Sequence, residues 1–366
     1  MNIVARTDLD LPQTSSGDFG NLGSLLRRLS EKLTRHLVLP SGAADAMALW
    51  IFNAHCHDKG RYSPVLALVS PDPRCGKTTA LNLIKDLVPR PVATSNITQA
   101  ALYRLIEAKS PTLLIDEADT FLKQNREFVG ILNAGHVRHN AYVIRADDRA
   151  PDGFRTYDVW CAKVLAMIGI LPPTLADRSI IVRLSRRSLS ENIERLRLDP
   201  DDEIRQLYEA TAGWAAANSH LIRDSDPVIV GLNDRAADNW RQLLAIADLA
   251  GEDWGHRARS AAIELSGHES DEDSGGLLFC DLKQIFSVSG TDGLPSRRIS
   301  SELNDMEHRP WPTCANGRPM TPVHLAKMLS AYGIAPVVQR FAGKLARGYR
   351  LEQFKDAFAR YTPLNE

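Results

Sequence analysis

The sequence predicts an α/β fold with a parallel sheet, followed by a helical subdomain and a C-terminal winged-helix-like domain. In the first half of the chain, short apolar strands alternate with helical patterns. After about Ser188 the strands stop and helical patterns follow. Residues 277–366 combine helices with a Gly-punctuated pair of short strands. Strands that alternate with helices are typical of a parallel sheet covered on both faces.

The first half of the chain predicts two helices and then the sheet. Apolar residues at helical spacing predict helices over Ser24–Leu37 and Ala43–Cys56. Four short apolar runs predict buried strands, at Val65–Val69, Thr112–Ile115, Lys163–Ile168 and Ser179–Leu184. We therefore assign residues 1–42 to an N-terminal arm and helix, and residues 43–188 to an α/β core.

The second half predicts mainly helices. Four helical patterns make up a helical subdomain over residues 189–266: Glu191–Arg197, Asp201–Ala217, Asp234–Leu249 and Trp254–Ser266. An acidic stretch rich in Gly and Ser predicts a linker over residues 267–276. In residues 277–366 the predicted elements are helices near Leu277–Phe286, Ser296–Met306, Thr321–Tyr332 and Glu352–Arg360, and strands near Val337–Phe341 and Gly348–Leu351. Helices with a β-hairpin predict a winged-helix-like domain.

The composition is that of an ordinary globular protein and restricts the classes of function. The chain has 366 residues, of which 44% are hydrophobic and 24% charged, and its formal net charge is −1. Any nucleic-acid-binding surface must therefore be local. The five cysteines are scattered, which favours a reducing cytoplasm over a disulfide framework. No apolar run approaches the ~20 residues of a membrane span, so we expect a cytoplasmic protein without a membrane partner.

A phosphate-binding loop is predicted at Ser70–Thr79, with the sequence SPDPRCGKTT. It follows a strand and precedes a helical pattern, which is the layout of a P-loop. Lys77 would reach the β- and γ-phosphates, and the Thr78 hydroxyl would bind Mg²⁺. The first glycine of the usual motif is replaced by Pro71, which lacks an N–H donor. We therefore expect the phosphate cradle to be formed by Arg74, Cys75, Gly76, Lys77, Thr78 and Thr79.

A second half of a nucleoside triphosphate site is predicted at Leu113–Glu117, a buried strand that ends in two carboxylates. Ligands of open α/β sheets bind at the carboxyl ends of the strands. Asp116 would hold Mg²⁺ through water, and Glu117 would polarise the attacking water as a general base. An N-cap of the following helix is the alternative, but it explains only one of the two carboxylates. ATP and Mg²⁺ are the expected cofactors.

Several further strings accompany these two motifs. They are Ser70–Thr79, Leu113–Phe121, Ile131–His136, Ile168–Ser179, Trp240–Trp254 and, near the C-terminus, Gly348–Arg350 with Phe358–Tyr361. Together they resemble an uncharacterised AAA+-like P-loop ATPase family of phage, plasmid and genomic-island proteins, often the ATPase part behind a primase. The similarity runs from about Ala43 to Tyr361. It implies an AAA+ core, a helical lid over residues 189–266 and a role as a replicative helicase or translocase.

The resemblance also implies roles for two arginines. Arg178 follows Asp177 ahead of the last core strand, where AAA+ proteins carry an arginine finger that acts on a neighbouring subunit. A local Asp177–Arg178 ion pair is the alternative, and Arg183, Arg186 and Arg187 are weaker candidates. Arg235 lies where AAA+ lids often place a second sensor arginine, with Arg241 as the runner-up. An arginine acting in trans implies a homo-oligomer, expected to be a ring.

The first sensor of AAA+ proteins, a polar residue at the end of the fourth core strand, has no counterpart at Met167–Leu171. Asn133 is a possible substitute. Two regions are candidates for binding nucleic acid. A predicted β-hairpin over residues 141–159 carries Arg149 near its tip, and the C-terminal domain has an excess of basic residues that includes Lys344, Arg347 and Arg350.

We therefore expect an ATP-hydrolysing motor, a DNA helicase or translocase in the replication of a mobile element. Single-stranded DNA is the preferred partner, and a primase or another replication protein is a possible one. The alternative is an ATP-gated regulatory, defence or protein-remodelling ATPase that does not translocate DNA. A P-loop kinase fits less well, because Asp177–Arg178 and the helical lid argue against it and no acceptor site is visible.

Overall fold

A computed structural model describes residues 21–362, except residues 123–124, 189–190, 198, 224, 273, 307–308, 315–317, 331 and 342–343. The predicted N-terminal arm up to residue 20 lies outside the described residues. The chain divides into two compact units after Ser266. Among the described helices, none is both long enough and apolar enough to cross a bilayer.

Seven strands lie in the described part of the first unit. In chain order they are β1 (Val65–Ser70), β2 (Pro91–Thr94), β3 (Thr112–Ile115), β4 (Tyr142–Ala146), β5 (Phe154–Asp158), β6 (Ala162–Ile168) and β7 (Ser179–Arg183). Five of them form one sheet in the order β2-β3-β6-β1-β7. All neighbours in this sheet pair in parallel. The predicted α/β fold with a parallel sheet is confirmed.

Among the described residues of the first unit, ten α-helices begin. They are α1 (Leu22–His36), α2 (Ala43–His55), α3 (Lys77–Leu87), α4 (Gln99–Lys109), α5 (Asp119–Leu122), α6 (Arg126–Ala134), α7 (Pro173–Ala176), α8 (Asp202–Arg223), α9 (Asp234–Leu249) and α10 (Glu252–Glu272). Short 3₁₀-helices occupy His57–Lys59 and Arg138–Asn140.

Both faces of the parallel sheet are covered by apolar side chains. Because side chains alternate along a strand, Leu66 and Leu68 of β1 join a core with α1, α2, α3 and the helices that follow the sheet. Val65, Ala67 and Val69 join a second core with α4, α5 and α6 on the opposite face. Helices α1 and α2 therefore belong to the same packed layer as α8 and α9.

The helix predicted over Glu191–Arg197 is absent, so that prediction was wrong. Residues 191–197 are irregular, and we call them the strap. The backbone N–H of Glu194 donates to the carbonyl of Arg35 at 2.9 Å. A hydrogen bond to the end of α1 therefore holds the strap, in place of the helical hydrogen bonds that were predicted within it.

Strands β4 and β5 form a separate two-stranded antiparallel ribbon, in which Arg145 faces Arg155. The predicted hairpin is therefore present. The ribbon has one face toward α4 and α6, where Val143 and Tyr157 contact the core. Its other face exposes the apolar side chains of Tyr142, Ile144 and Phe154.

Four α-helices and three strands begin in the described residues of the second unit. They are α11 (Ser274–Ser289), β8 (Gly293–Pro295), α12 (Ser296–Asn304), α13 (Pro322–Ser330), β9 (Val337–Phe341), β10 (Lys344–Arg350) and α14 (Lys355–Tyr361). The strands form an antiparallel sheet in the order β8-β10-β9. The predicted linker, residues 267–276, is helical at 267–272 and again from Ser274, and its role as a linker stays a prediction.

Candidate nucleotide-binding site

The loop between β1 and α3 contacts Lys77, the first residue of the helix. Nζ of Lys77 lies 2.5 Å from Oγ of Ser70 and 3.4 Å from the backbone oxygen of Asp72. The Ser70 hydroxyl in turn donates to the same Asp72 carbonyl at 2.7 Å. These contacts hold the Lys77 ammonium beside the loop, at the N-terminus of α3. An anion bound there would be stabilised by the helix dipole.

The backbone conformation at position 76 favours a glycine. It precedes α3 in the left-handed region, with φ of 86°. A Cβ at this position would meet Leu37 Cδ2 at 3.7 Å, which is an ordinary contact. The restriction is therefore conformational rather than steric crowding, since side chains disfavour positive φ. Arg74, two residues earlier, also has a positive φ of 66°.

The two carboxylates follow β3 in a sharp turn. The N–H of Asp116 continues the sheet by donating to the carbonyl of Thr94 at 2.9 Å. Glu117 then adopts a positive φ of 54°, and its N–H donates to Oδ1 of Asp116 at 2.9 Å. Such strain in a non-glycine residue clusters at functional sites. The turn leaves the Glu117 side chain exposed.

Thr78 and Asp116 bring the two motifs together. Oγ1 of Thr78 donates to Oδ2 of Asp116 at 3.3 Å. Only β6 separates β1 from β3 in the sheet, so the carboxyl ends of these strands share one edge. A hydroxyl and a carboxylate are hard oxygen donors of the kind that Mg²⁺ prefers, together with water and substrate phosphates. The pair fits a magnesium ion.

These residues line one cavity of about 670 Å³. This volume is within the range of small-molecule sites. From the P-loop the lining includes every predicted cradle residue, Arg74, Cys75, Gly76, Lys77, Thr78 and Thr79. Asp116 and Glu117 line it as well. Cys75 is buried, and its thiol donates to the carbonyl of Asp72 at 3.3 Å, so it stabilises the conformation of the loop.

A wall of the same cavity was not predicted from the sequence. It comes from the end of α1 and from the strap, and consists of His36, Leu37, Val38 and Ile193. His36 anchors this wall, because its Nδ1 lies 2.9 Å from the carbonyl oxygen of Glu194. The contact joins residues far apart in the chain and carries no local sequence signal.

Arg178 and Arg235, predicted from the resemblance, both approach Asp177 and lie outside the cavity lining. Nη1 of Arg178 donates to the Thr174 carbonyl at 2.7 Å, and Nε of Arg235 donates to Oδ2 of Asp177 at 3.2 Å. Burial, and then the nearby Arg235, lower the pKa of Arg178. Neither arginine is among the residues that line the cavity. The role of Arg235 in binding nucleotide stays a prediction.

Two of the weaker arginine candidates do approach the cavity. Nε of Arg186 donates to the Pro73 carbonyl at 3.3 Å, directly on the P-loop. Arg187 lines the cavity, with its Nε on the Glu191 carbonyl at 2.8 Å. The segment that follows β7 thus adds positive charge near the cavity, beside that of Arg74 and Lys77.

The substitute sensor Asn133 also lies outside the cavity lining. Its Nδ2 donates to the Thr174 hydroxyl at 3.0 Å, next to the carbonyl that accepts from Arg178. At the end of β6, the N–H of Ile168 instead meets Oδ1 of Asp119 at 3.0 Å, and both residues line the cavity. Arg241 pairs with Asp226 and is likewise not among the lining residues.

The candidate DNA contacts are dispersed. Arg149 is exposed at the tip of the β4–β5 ribbon, whereas Arg145 and Arg155 pair with Glu127 and Glu107 at 3.0 and 3.1 Å. In the second unit Arg347 is exposed on β10. Arg350 donates to Gln339 Oε1 at 2.5 Å and lies 3.4 Å from Glu352. Lys344 begins β10, and its side chain lies outside the described residues.

A protein-family model matches residues 183–361. That family is described as "Protein of unknown function (DUF3631)". The matching region begins at the end of β7 and includes the strap, α8 to α10 and most of the second unit. It covers just under half of the chain and does not include the P-loop.

One curated relative is an uncharacterized 28.9 kDa protein in the xis 5' region of Saccharopolyspora erythraea. It is 35% identical over 161 residues, which are 43% of this chain and 60% of that protein. The chain thus spans less than two thirds of that relative. Among solved structures, the A form apo structure of the NrS-1 C terminal region matches with a TM-score of 0.35 and 11% identity, over 90% of this chain and 74% of that one.

Proposed function

We propose that this protein is an ATP-hydrolysing AAA+ motor that acts as a helicase or translocase on DNA. The observation that carries the proposal is the 3.3 Å contact between Thr78 and Asp116 in a cavity that also contains Lys77 and Glu117. A phosphate-binding loop, a magnesium ligand pair and an exposed carboxylate at one sheet edge are the parts that nucleotide hydrolysis needs.

The residues divide the chemistry between them. Lys77 and the amides from Arg74 to Thr79 would bind the phosphates. Thr78 and Asp116 would hold Mg²⁺, which neutralises charge on the β- and γ-phosphate oxygens when it is bound. Glu117 would orient the attacking water and accept its proton.

Arg178 supports an assembly in which neighbouring subunits complete each site. It lies outside the cavity of its own subunit, and its side chain is 24% exposed. A guanidinium supplied by the neighbour would stabilise the charge that develops on the transferred phosphoryl group. We therefore propose a homo-oligomeric ring.

The DNA part of the proposal rests on weaker supports. The second unit combines helices with an antiparallel sheet whose last strand carries exposed Arg347 and Arg350, which favours a winged-helix-like, phosphate-binding domain. The name of the Saccharopolyspora relative places that protein in an xis 5' region, which favours a mobile element. A primase is a candidate partner.

The test is steady-state ATP hydrolysis with and without single-stranded DNA, for the wild type and Glu117→Gln. We expect DNA to raise the rate several-fold and the variant to lose about 10²-fold or more. Hydrolysis that depends on Glu117 but ignores DNA would favour the second candidate, an ATP-gated regulatory, defence or protein-remodelling ATPase. The strained, hydrogen-bonded Asp116–Glu117 turn favours hydrolysis in either case.

A further inference from the structure

Arg187, on the segment that follows β7, is an accessible cation in the candidate nucleotide-binding cavity. The residue lines the cavity and is exposed, so a ligand in the cavity can reach its guanidinium. Its Nε donates to the carbonyl of Glu191 at 2.8 Å. Glu191 closes a turn with Ser188, whose N–H donates to Oε2 of Glu191 at 2.7 Å. The guanidinium is therefore fixed through Nε to the backbone of the strap.

The rest of this guanidinium is available for a ligand. Nη1 and Nη2 of Arg187 have no hydrogen-bond or ion-pair partner among the residues that the structure describes. These nitrogens carry most of the donors of an arginine, and their planar arrangement matches the oxygens of a phosphate. Because Nε is already held, less side-chain freedom is lost when an anion binds.

The order of the sheet places this segment and the two carboxylates on opposite sides of the P-loop. In the parallel sheet, β1 lies between β6 and β7, and β3 lies beyond β6. The P-loop follows β1, Asp116 and Glu117 follow β3, and Arg187 follows β7. Next to Arg187, Arg186 donates from Nε to the Pro73 carbonyl at 3.3 Å, so the segment reaches the loop itself. A phosphate chain on the P-loop would therefore have the magnesium ligand pair on one side and Arg187 on the other.

The charges in the cavity also call for this cation. The lining carries the carboxylates of Asp116, Glu117 and Asp119, and opposite them the side chains of Arg74, Lys77 and Arg187. Those charges balance one another before any nucleotide binds. A bound Mg²⁺ compensates only part of the charge of a triphosphate, so the loss of one cation would leave the phosphates undercompensated.

We propose that Arg187 binds the phosphate chain of the nucleotide in the cavity of its own subunit. The inference rests on the proposed nucleoside triphosphate function. It gives Arg187 a role different from that proposed for Arg178. Arg187 contacts the bound nucleotide before the reaction and so sets its affinity, whereas Arg178 acts from a neighbouring subunit on the rate.

The experiment measures dissociation constants of the full chain with Mg²⁺ for ribose-labelled ATP and ADP. Arg187→Gln removes the charge, but its amide can still donate to the Glu191 carbonyl, so the strap keeps its anchor. We expect this variant to bind both nucleotides about tenfold or more weakly than the wild type, the effect of losing a charged hydrogen bond. Arg195→Gln is the matched control. Arg195 is an exposed arginine of the strap that does not line the cavity, and its variant should bind as the wild type does.

A mixing experiment tests whether Arg187 acts within its own subunit. Arg187→Gln and Lys77→Ala are combined at a subsaturating ATP concentration, and hydrolysis is followed. We expect no recovery, because no mixture unites Lys77 and Arg187 in one cavity. Recovery on mixing would assign Arg187 to the neighbouring site and overturn the inference.

The binding data separate the inference from the function on which it rests. If the wild type binds ATP and a folded Arg187→Gln binds it equally well, the inference is overturned and the proposed function stands. If the wild type binds neither nucleotide, the proposed function fails and the inference fails with it.

Discussion

Arg235 donates a hydrogen bond from Nε to Oδ2 of Asp177 at 3.2 Å, across a wide separation in sequence. A second bond joins the same two elements, since Nδ2 of Asn239 donates to the backbone oxygen of Asp177 at 3.1 Å. The first turns of α9 are therefore tied to the residue immediately before Arg178. Any displacement of α9 would be transmitted to the position of the Arg178 guanidinium.

This arrangement predicts that Arg178 acts on a neighbouring subunit. Arg178→Ala should bind ATP as the wild type does and lose about 10³-fold in hydrolysis, the usual effect of removing an arginine finger. Lys77→Ala should be inactive because it cannot hold the phosphates. Mixing the two variants should restore activity, since an intact cavity then lies beside an intact Arg178. The measurement is ATP hydrolysis as a function of the mixing ratio.

Arg104→Ala is the control for this experiment, because Arg104 is an exposed arginine on α4, away from the cavity. It should hydrolyse ATP at the wild-type rate. An Arg178→Ala protein that no mixing ratio restores would place the arginine in its own subunit's chemistry, contrary to the prediction.

The contact between Thr78 and Asp116 predicts a shared role in holding Mg²⁺. Thr78→Ala and Asp116→Asn should each lower ATP hydrolysis by about 10²-fold and raise the Mg²⁺ concentration needed for half-maximal rate. The double variant should be little worse than the single ones, because residues that act as a unit are not additive. Asp86→Asn, on α3 but outside the cavity lining, should keep the wild-type rate. If the losses of hydrolysis in the two single variants add fully in the double variant, Thr78 and Asp116 act independently, contrary to the prediction.

The central sheet was largely predictable from the sequence. The strands β1, β3, β6 and β7 are mostly apolar, and β3 was predicted with its observed bounds, Thr112–Ile115. Two strands, β2 of this sheet and β8 of the second unit, gave no apolar run of this kind. β2 begins with Pro91 and is half exposed at the sheet edge, and β8 has only three residues, Gly293–Pro295. Neither carries the periodicity that identifies a strand.

The cavity was predictable only in part, because only its phosphate end is built from local sequence motifs. The phosphate end depends on local motifs, and the structure brings Lys77, Thr78, Asp116 and Glu117 into one cavity. The wall with His36 depends on the strap, whose hydrogen bonds to α1 join residues separated by 158 positions. Helical periodicity in Glu191–Arg197 predicted the wrong local structure, because this tertiary pairing replaces the helical one.

Lys32 predicts a stability effect between α1 and the start of α8. Its ammonium is 2% exposed and lies 2.7 Å from Asp201 and 2.9 Å from Glu203. Lys32→Met should lower the free energy of unfolding at pH 7 by about 1–3 kcal/mol, less than for a fully buried pair because both acids are partly exposed. Arg27→Met, which breaks the largely exposed 3.7 Å contact with Asp253, should cost about 0.5 kcal/mol or less. Urea titrations would compare the variants.

The same cluster predicts the pH at which this stabilisation is lost. Burial, the largest single influence, would raise the pKa of Asp201 and Glu203. Hydrogen bonds and charge attraction from Lys32, joined by the Ile204 N–H at Asp201 and by Arg35 at Glu203, together outweigh it and lower both pKa values. Carboxyls with a lowered folded-state pKa stabilise the fold above the ordinary pKa and lose that contribution as pH falls through the folded value. The difference between the wild type and Lys32→Met should therefore shrink below about pH 4. A constant difference down to pH 2 would contradict the prediction.

His136 predicts a second pH dependence, at higher pH. Its ring is buried, with Nε2 2.7 Å from Oδ1 of Asn239, and burial lowers its pKa to about 4. The unfolded chain therefore binds a proton that the folded one excludes as the pH falls below about 6.5, and stability decreases there. Between pH 7 and pH 5 this group should remove about 2 kcal/mol from the free energy of unfolding. His136→Gln, which cannot titrate, should lack that part of the slope, whereas the half-buried His55 and the buried His57 remain in both proteins. Identical slopes in urea unfolding at the two pH values would show that His136 is protonated as easily in the folded state as in the unfolded chain.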